Sequence, residues 1–217
     1  AALFKDNWGI RTADVLSAAL LTLARTPGAN LLWLVPLLTN PAFRRRVLTM
    51  GPPDPLGTGA FWAAYEAKRP QGQATEIAPV LNKLRQLIMR PGLRAVLGQS
   101  NPRLDLRDIL TRRRIVVVNL NRARIGAGAA RLLGSLLLAQ LWHHLLSRQA
   151  LVPERRHIIS VFIDEVHDFL AGLPGDLSDA LAQSRSLGAA FHLAHQYRTQ
   201  LSPQMIQAIE TNARNKI

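Results

Sequence analysis

The sequence predicts an all-helical domain followed by an α/β domain built around a parallel sheet. Residues 1–98 carry apolar side chains at helical spacing and nothing that reads as a strand. Over residues 99–217, β-branched runs alternate with helical patterns in the order strand, helix, strand, helix, strand. That order is the signature of right-handed crossovers in a parallel sheet.

The elements follow in turn. Thr12 is a candidate N-cap with Asp14 in the first turn, and Val15, Leu16, Ala19, Leu20 and Leu23 then recur as one helix face until Thr26-Pro27-Gly28 stops the run. Leu31 opens a short apolar segment broken by Pro36. Asn40-Pro41 pairs an N-cap with proline at the first helical position, ahead of Phe43-Arg44-Arg45-Arg46-Val47-Leu48. The run Gly51-Pro52-Pro53-Asp54-Pro55-Leu56-Gly57-Thr58-Gly59 is a loop. Phe61, Trp62 and Tyr65 belong to the next helix. A further helix, with Ile77, Val80, Leu81, Leu84, Leu87 and Ile88 on its apolar face, ends before Pro91.

Past Gly98-Gln99-Ser100-Asn101-Pro102 the pattern changes. Ile115-Val116-Val117-Val118-Asn119-Leu120 is a strand by its β-branched run. Residues 126–150 form a long helix with Leu132, Leu133, Leu136, Leu137, Leu141 and Leu145 inward. Ile158-Ile159-Ser160-Val161-Phe162-Ile163 is a central strand expected to be buried on both faces. A helix over residues 178–187 leads to a third strand, Ala189-Ala190-Phe191-His192-Leu193-Ala194-His195. There is no internal repeat and no low-complexity tract.

Composition narrows the function. With 27 Lys and Arg against 14 Asp and Glu the net charge is +13, nearly all of the cations being arginine, so a polyanion is a plausible partner; a solvated, arginine-rich surface is the plainer reading. The absence of cysteine excludes disulfides and cysteine zinc sites. The longest apolar stretch, residues 132–146, is too short and too interrupted to span a bilayer.

The chemistry is expected at the strand ends. In open α/β sheets the carboxyl ends of the strands face the ligand crevice. Asn119, Asp164-Glu165 and Gln196 follow the three strands at those ends. Adjacent acids after an apolar strand have the shape of a Walker B element, in which one carboxylate holds Mg²⁺ and the next polarises the water that attacks the γ-phosphate of ATP. An amide such as Asn119 or Gln196 can hydrogen-bond a phosphate or a lytic water. The plainer readings make Asp164 and Gln196 turn caps and leave Glu165 solvated. Arg185 ends a helix, where it serves either as an arginine finger across a subunit boundary or as a cation on the helix dipole. A metal site on His143, His144, His157, His167, His192 and His195 is disfavoured, because His143 and His144 are helix neighbours that cannot both face one ion.

Taken together, Leu104-Asp105-Leu106-Arg107-Asp108-Ile109-Leu110, Val116-Val117-Val118-Asn119-Leu120, Phe162-Ile163-Asp164-Glu165-Val166-His167-Asp168-Phe169, Ala182-Gln183-Ser184-Arg185-Ser186-Leu187-Gly188 and Leu193-Ala194-His195-Gln196 resemble the conjugative coupling ATPases. These are TraG/TraD-like members of the HerA/FtsK group of P-loop motors in type IV secretion. The resemblance implies a RecA-like ATPase domain with flanking helices, in which Asp164 belongs to the Mg²⁺ site, Glu165 is the catalytic carboxylate, Gln196 reads the γ-phosphate and Arg185 reaches a neighbouring subunit in a homo-hexamer. It also implies an all-helical domain ahead of the Walker B strand, DNA as substrate, contacts with a relaxase or other secretion components, and a location at the cytoplasmic face of the bacterial inner membrane.

One departure stands out. The phosphate-cradling pattern Gly-x-x-x-x-Gly-Lys-Ser/Thr is nowhere in the sequence: the loop at residues 51–59 lacks the lysine, and Gly126-Ala127-Gly128 has none nearby. In the family the P-loop and any membrane anchor lie upstream of the helical domain, and the closing Asn212-Ala213-Arg214-Asn215-Lys216-Ile217 is similar to the segment that leads into the next sheet strand. The chain is therefore expected to be part of a longer motor and, by itself, to bind ATP poorly and hydrolyse it negligibly. Asp164-Glu165-Val166-His167 also matches the box of superfamily 2 helicases, but the Ser-Ala-Thr-like motif of that class is missing. The main rival is a DNA-binding or adaptor module that uses Arg44-Arg45-Arg46 and Arg112-Arg113-Arg114 for phosphate contacts.

Overall fold

Val15, Ala19 and Leu23 recur at helical spacing, and in the computed structural model they become the buried stripe of α1 (Ile10–Ala24). Residues 9–101, 103–169, 177–213 and 215 are described; they fall into two units, Ala1–Arg103 and Leu104–Ile217. The sequence placed the boundary after residue 98.

Described residues of the first unit form helices and loops only. After α1 come α2 (Leu34–Thr39), α3 (Pro41–Met50), α4 (Thr58–Glu66), α5 (Pro70–Ile88) and α6 (Pro91–Leu97). Leu34, Leu37, Leu38, Val47, Trp62, Tyr65, Ile77 and Val80 close its core against the α1 stripe. Asn40 caps α3 by accepting the Phe43 N–H, with Pro41 at the first position, as the sequence predicts. Thr12 caps nothing: α1 begins two residues earlier, so Thr12 is buried inside its first turn. The loop before α4 is held by Asp54, whose carboxylate accepts the N–H groups of Gly57 and Thr58 and pairs with Arg25. These N–H bonds and the Arg25 guanidinium hold the Asp54 carboxyl down at about 2.

Arg44 overturns one reading of the basic clusters. Its guanidinium is buried over Trp62 and Tyr65, donates to Glu66 at 2.9 Å and to the Leu37 carbonyl at 3.0 Å, and so cannot meet a phosphate. It closes the carbonyl end of α2, which lacks intrahelical donors of its own. Burial raises the Tyr65 pKa in the same place.

The second unit mixes helices with a small parallel sheet. It runs α7 (Leu106–Thr111), α8 (Arg122–Ile125), α9 (Ala127–Ser147), β1 (Ile159–Ile163), α10 (Leu177–Ser184), β2 (Ala189–Leu193) and α11 (Pro203–Asn212). The strands pair in parallel with Ile159 opposite Ala189 and Ile163 opposite Leu193. Leu138, Trp142 and Leu145 of α9, Ala180 of α10 and Ala208 of α11 form one core with Leu187 and Ala189, and Ile159, Ile163, Phe191 and Leu193 pack on it.

Two expectations for this unit fail and a third holds only in part. Residues 115–120 enter no ladder: Ile115 is 94% and Val117 87% exposed, and no hydrogen bond ties the run to β1. β-branched side chains favour an extended backbone, but a strand also needs a partner edge. The strand β1 is covered on one face only, with Phe162 75% exposed and stacked on His192 at 4.2 Å. On α9 the expectation holds in part: Leu145 is buried and Leu141 packs on the core, but the stripe passes through Gly134, Ser135, Leu138 and Trp142 and leaves Leu136 exposed. Gly134 lies on that stripe because Phe169 occupies the space a side chain would need: a Cβ there would come within 2.3 Å of the ring. Arg214, Lys216 and Ile217 of the closing segment lie outside the described residues. No described helix is long and apolar enough to cross a membrane.

Candidate functional site

The β1–β2 ladder continues past the strand ends with an irregularity that creates the site. Ala194 donates its N–H to Ile163 and accepts the N–H of Val166. A regular parallel ladder would leave one residue between those two partners, and here there are two, Asp164 and Glu165. The extra residue is absorbed by Glu165, whose φ of 50° is left-handed. Such a bulge lifts both carboxylates to the sheet rim and re-aims the second. A non-glycine residue held in this region costs on the order of 1–2 kcal/mol, which the surrounding bonds must offset.

Those bonds come from the next strand. Gln196 lies just beyond β2 and donates from Nε2 to Glu165 Oε1 at 2.5 Å. It is not the cap of its own turn, because Gln200 takes that part by accepting the N–H groups of Gln196 and Tyr197. Asp164 is exposed, and its Oδ1 accepts the Glu165 N–H at 2.9 Å. Asn119 lines the same groove as Asp164 and Glu165, one of about 580 Å³ whose other walls include Leu106, Leu137 and Val118; no hydrogen bond joins it to the acids. The groove opens along the edge of β1 that the 115–120 run fails to pair.

Arg185 is placed elsewhere. It follows α10 and precedes β2, at the strand end opposite Gln196, so the five strand residues separate the two by roughly 17 Å. Its side chain is exposed.

Behind the acids is a constellation that the sequence reading passed over. Asp168 is buried, and both its oxygens are taken, Oδ2 by Arg122 and Oδ1 by Arg131 at 2.9 Å. Two guanidiniums from the start of α8 and of α9 thereby fix the turn that carries Glu165. The sign in the sequence was a charged residue, Asp168, between apolar Val166 and Phe169, and acids at such positions are rarely buried without a cation. His167 stands between the two acids, its Nδ1 3.5 Å from Glu165 Oε2 and its Nε2 3.8 Å from Asp168 Oδ1. That Nδ1 is buried with no hydrogen-bond partner among the described residues.

No cluster of three or more His, Asp or Glu suited to a metal ion occurs among the described residues. Magnesium needs no such cage, since it keeps most of its water and binds proteins through one or two carboxylates. The exposed Asp164, with Glu165 beside it, fits that requirement.

Comparison with protein-family models, curated proteins and solved structures finds no match.

Proposed function

We propose that residues 104–217 form the hydrolytic rim of a RecA-like ATPase domain within an ATP-driven DNA-translocating motor of the conjugative coupling type. The observation that carries the reading is the 2.5 Å hydrogen bond from Gln196 to Glu165, which links the ends of two adjacent parallel strands. A second support is the left-handed Glu165, strained in the way that functional carboxylates often are.

In this reading Asp164 holds Mg²⁺ at the rim, and the ion when bound supplies charge neutralisation for the phosphates of ATP. Glu165 accepts a hydrogen from the attacking water and orients it. Gln196 sets the Glu165 carboxylate and presents its amide to the γ-phosphate, with Asn119 a further amide in the groove. Arg185, distant from this rim in its own chain, serves the site of a neighbouring subunit in a hexamer. The first unit recruits relaxase or another secretion partner, and DNA is the cargo. The reading requires a phosphate cradle from outside these 217 residues, because no lysine-bearing P-loop occurs among them.

A non-enzymatic DNA-binding or adaptor module is the alternative; burial of Arg44 removes one residue from the first of its two basic clusters, while Arg45, Arg46 and Arg112-Arg113-Arg114 stay exposed. The two are separated by the ATPase rate of the full gene product with and without DNA. DNA-stimulated turnover that Glu165→Gln lowers about 100-fold supports the motor; DNA binding with no turnover in either protein supports the adaptor and rejects the motor.

A further inference from the structure

We propose that His167 is the positioning residue for Glu165, donating from Nδ1 to Glu165 Oε2 while Gln196 holds Oε1. This rests on the ATPase reading above only for its consequence on turnover. The contact itself stands on geometry.

Three observations converge on it. Among the described residues Nδ1 is buried without a hydrogen-bond partner, and a buried polar atom in that state carries a desolvation cost until something satisfies it. The acceptor facing it is Glu165 Oε2 at 3.5 Å, a few tenths of an ångström beyond a formed bond. On the other side the ring meets Asp168, whose two oxygens Arg122 and Arg131 already hold, so the imidazole has a fixed wall behind it. Arg122 and Arg131, Asp168, His167, Glu165 and Gln196 thus stand in one row from the start of α8 and α9 to the end of β2, bonded at both ends, with His167 3.5 Å from Glu165 and 3.8 Å from Asp168 between them.

The physical consequence follows from the strain at Glu165. A carboxylate on a left-handed turn with one donor can still rotate about its terminal bond. A second donor on the other oxygen fixes the plane of the carboxylate and hence the position of a water that it binds. A small closing of the rim, bringing Nδ1 within about 3 Å, would complete the pair.

The test has two readouts. In the 217-residue chain with ¹⁵N-labelled histidine, long-range ¹H–¹⁵N spectra should show His167 protonated at Nδ1, with that signal moved by Glu165→Ala. In the full gene product, His167→Gln, whose amide mimics Nε2, should lower kcat about tenfold with KM for ATP unchanged, while His167→Asn, whose amide reaches the Nδ1 position, recovers most of the rate. A bare Nδ1, two variants that fall equally, or two variants at the wild-type rate each overturn the proposal. If instead Glu165→Gln keeps full turnover, or the wild type has none, the ATPase reading fails, and the Nδ1 spectrum still decides the His167–Glu165 contact.

Discussion

Gln196 and Glu165, 31 residues apart, are joined at the ends of adjacent parallel strands by a 2.5 Å hydrogen bond from the amide to the carboxylate. Residues that act as one unit give non-additive losses. Gln196→Ala and Glu165→Gln should each lower ATP turnover of the full gene product by about 100-fold, and the double variant should be no slower than the worse single one. Independent, additive losses in steady-state assays would show that the bond is incidental.

Strain at Glu165 is separable from its chemistry. Asparagine tolerates the left-handed region and a β-branched residue does not. Glu165→Asn should leave stability unchanged or raise it by about 0.5 kcal/mol, whereas Glu165→Val should cost more than about 1 kcal/mol. Urea denaturation of the two variants reads the difference, and equal stabilities would argue against the left-handed turn.

Arg44 should behave as a core residue and Arg45 as a surface one. Arg44→Ala leaves the Leu37 carbonyl without its donor, removes the partner of Glu66 and empties the space over Trp62 and Tyr65, and should cost about 3 kcal/mol. Arg45→Ala, on the exposed side of α3, should change stability by less than about 0.5 kcal/mol. Thermal melting of both variants checks the contrast.

The Asp54 loop should give the first unit an acid-sensitive stability. The carboxyl titrates at about 2 in the folded chain against 3.8 unfolded, so its contribution is complete above about pH 4 and is lost as the pH falls through the folded value. Asp54→Asn should flatten the dependence of melting temperature on pH between about 4 and 2. An unchanged slope would place the acid sensitivity in other carboxylates.

Gly134 should admit no side chain. With Phe169 2.3 Å from the position of a Cβ, Gly134→Val should cost at least about 2 kcal/mol despite the better helix propensity of valine, and the smaller Gly134→Ala less. Denaturant midpoints for the two variants give the order.

Helices and their caps were legible in the sequence because they depend on neighbours a few residues apart: Asn40-Pro41 capped α3, and the apolar period of residues 77–88 became α5. Both paired strands and the acids at the end of one were legible for the same reason, since a β-branched run followed by Asp164-Glu165 is a local pattern. The tertiary structure decided what no local pattern contains. Residues 115–120 had the composition of a strand and found no edge, because pairing depends on a distant backbone. Arg44 read as surface charge until Trp62, Tyr65 and Glu66 closed around it. His167 and Asp168 read as flanking residues until Arg122 and Arg131, more than 30 residues earlier, met Asp168. Periodicity and capping are settled within one or two turns of chain, whereas a buried charge takes its role from partners that folding alone brings within reach.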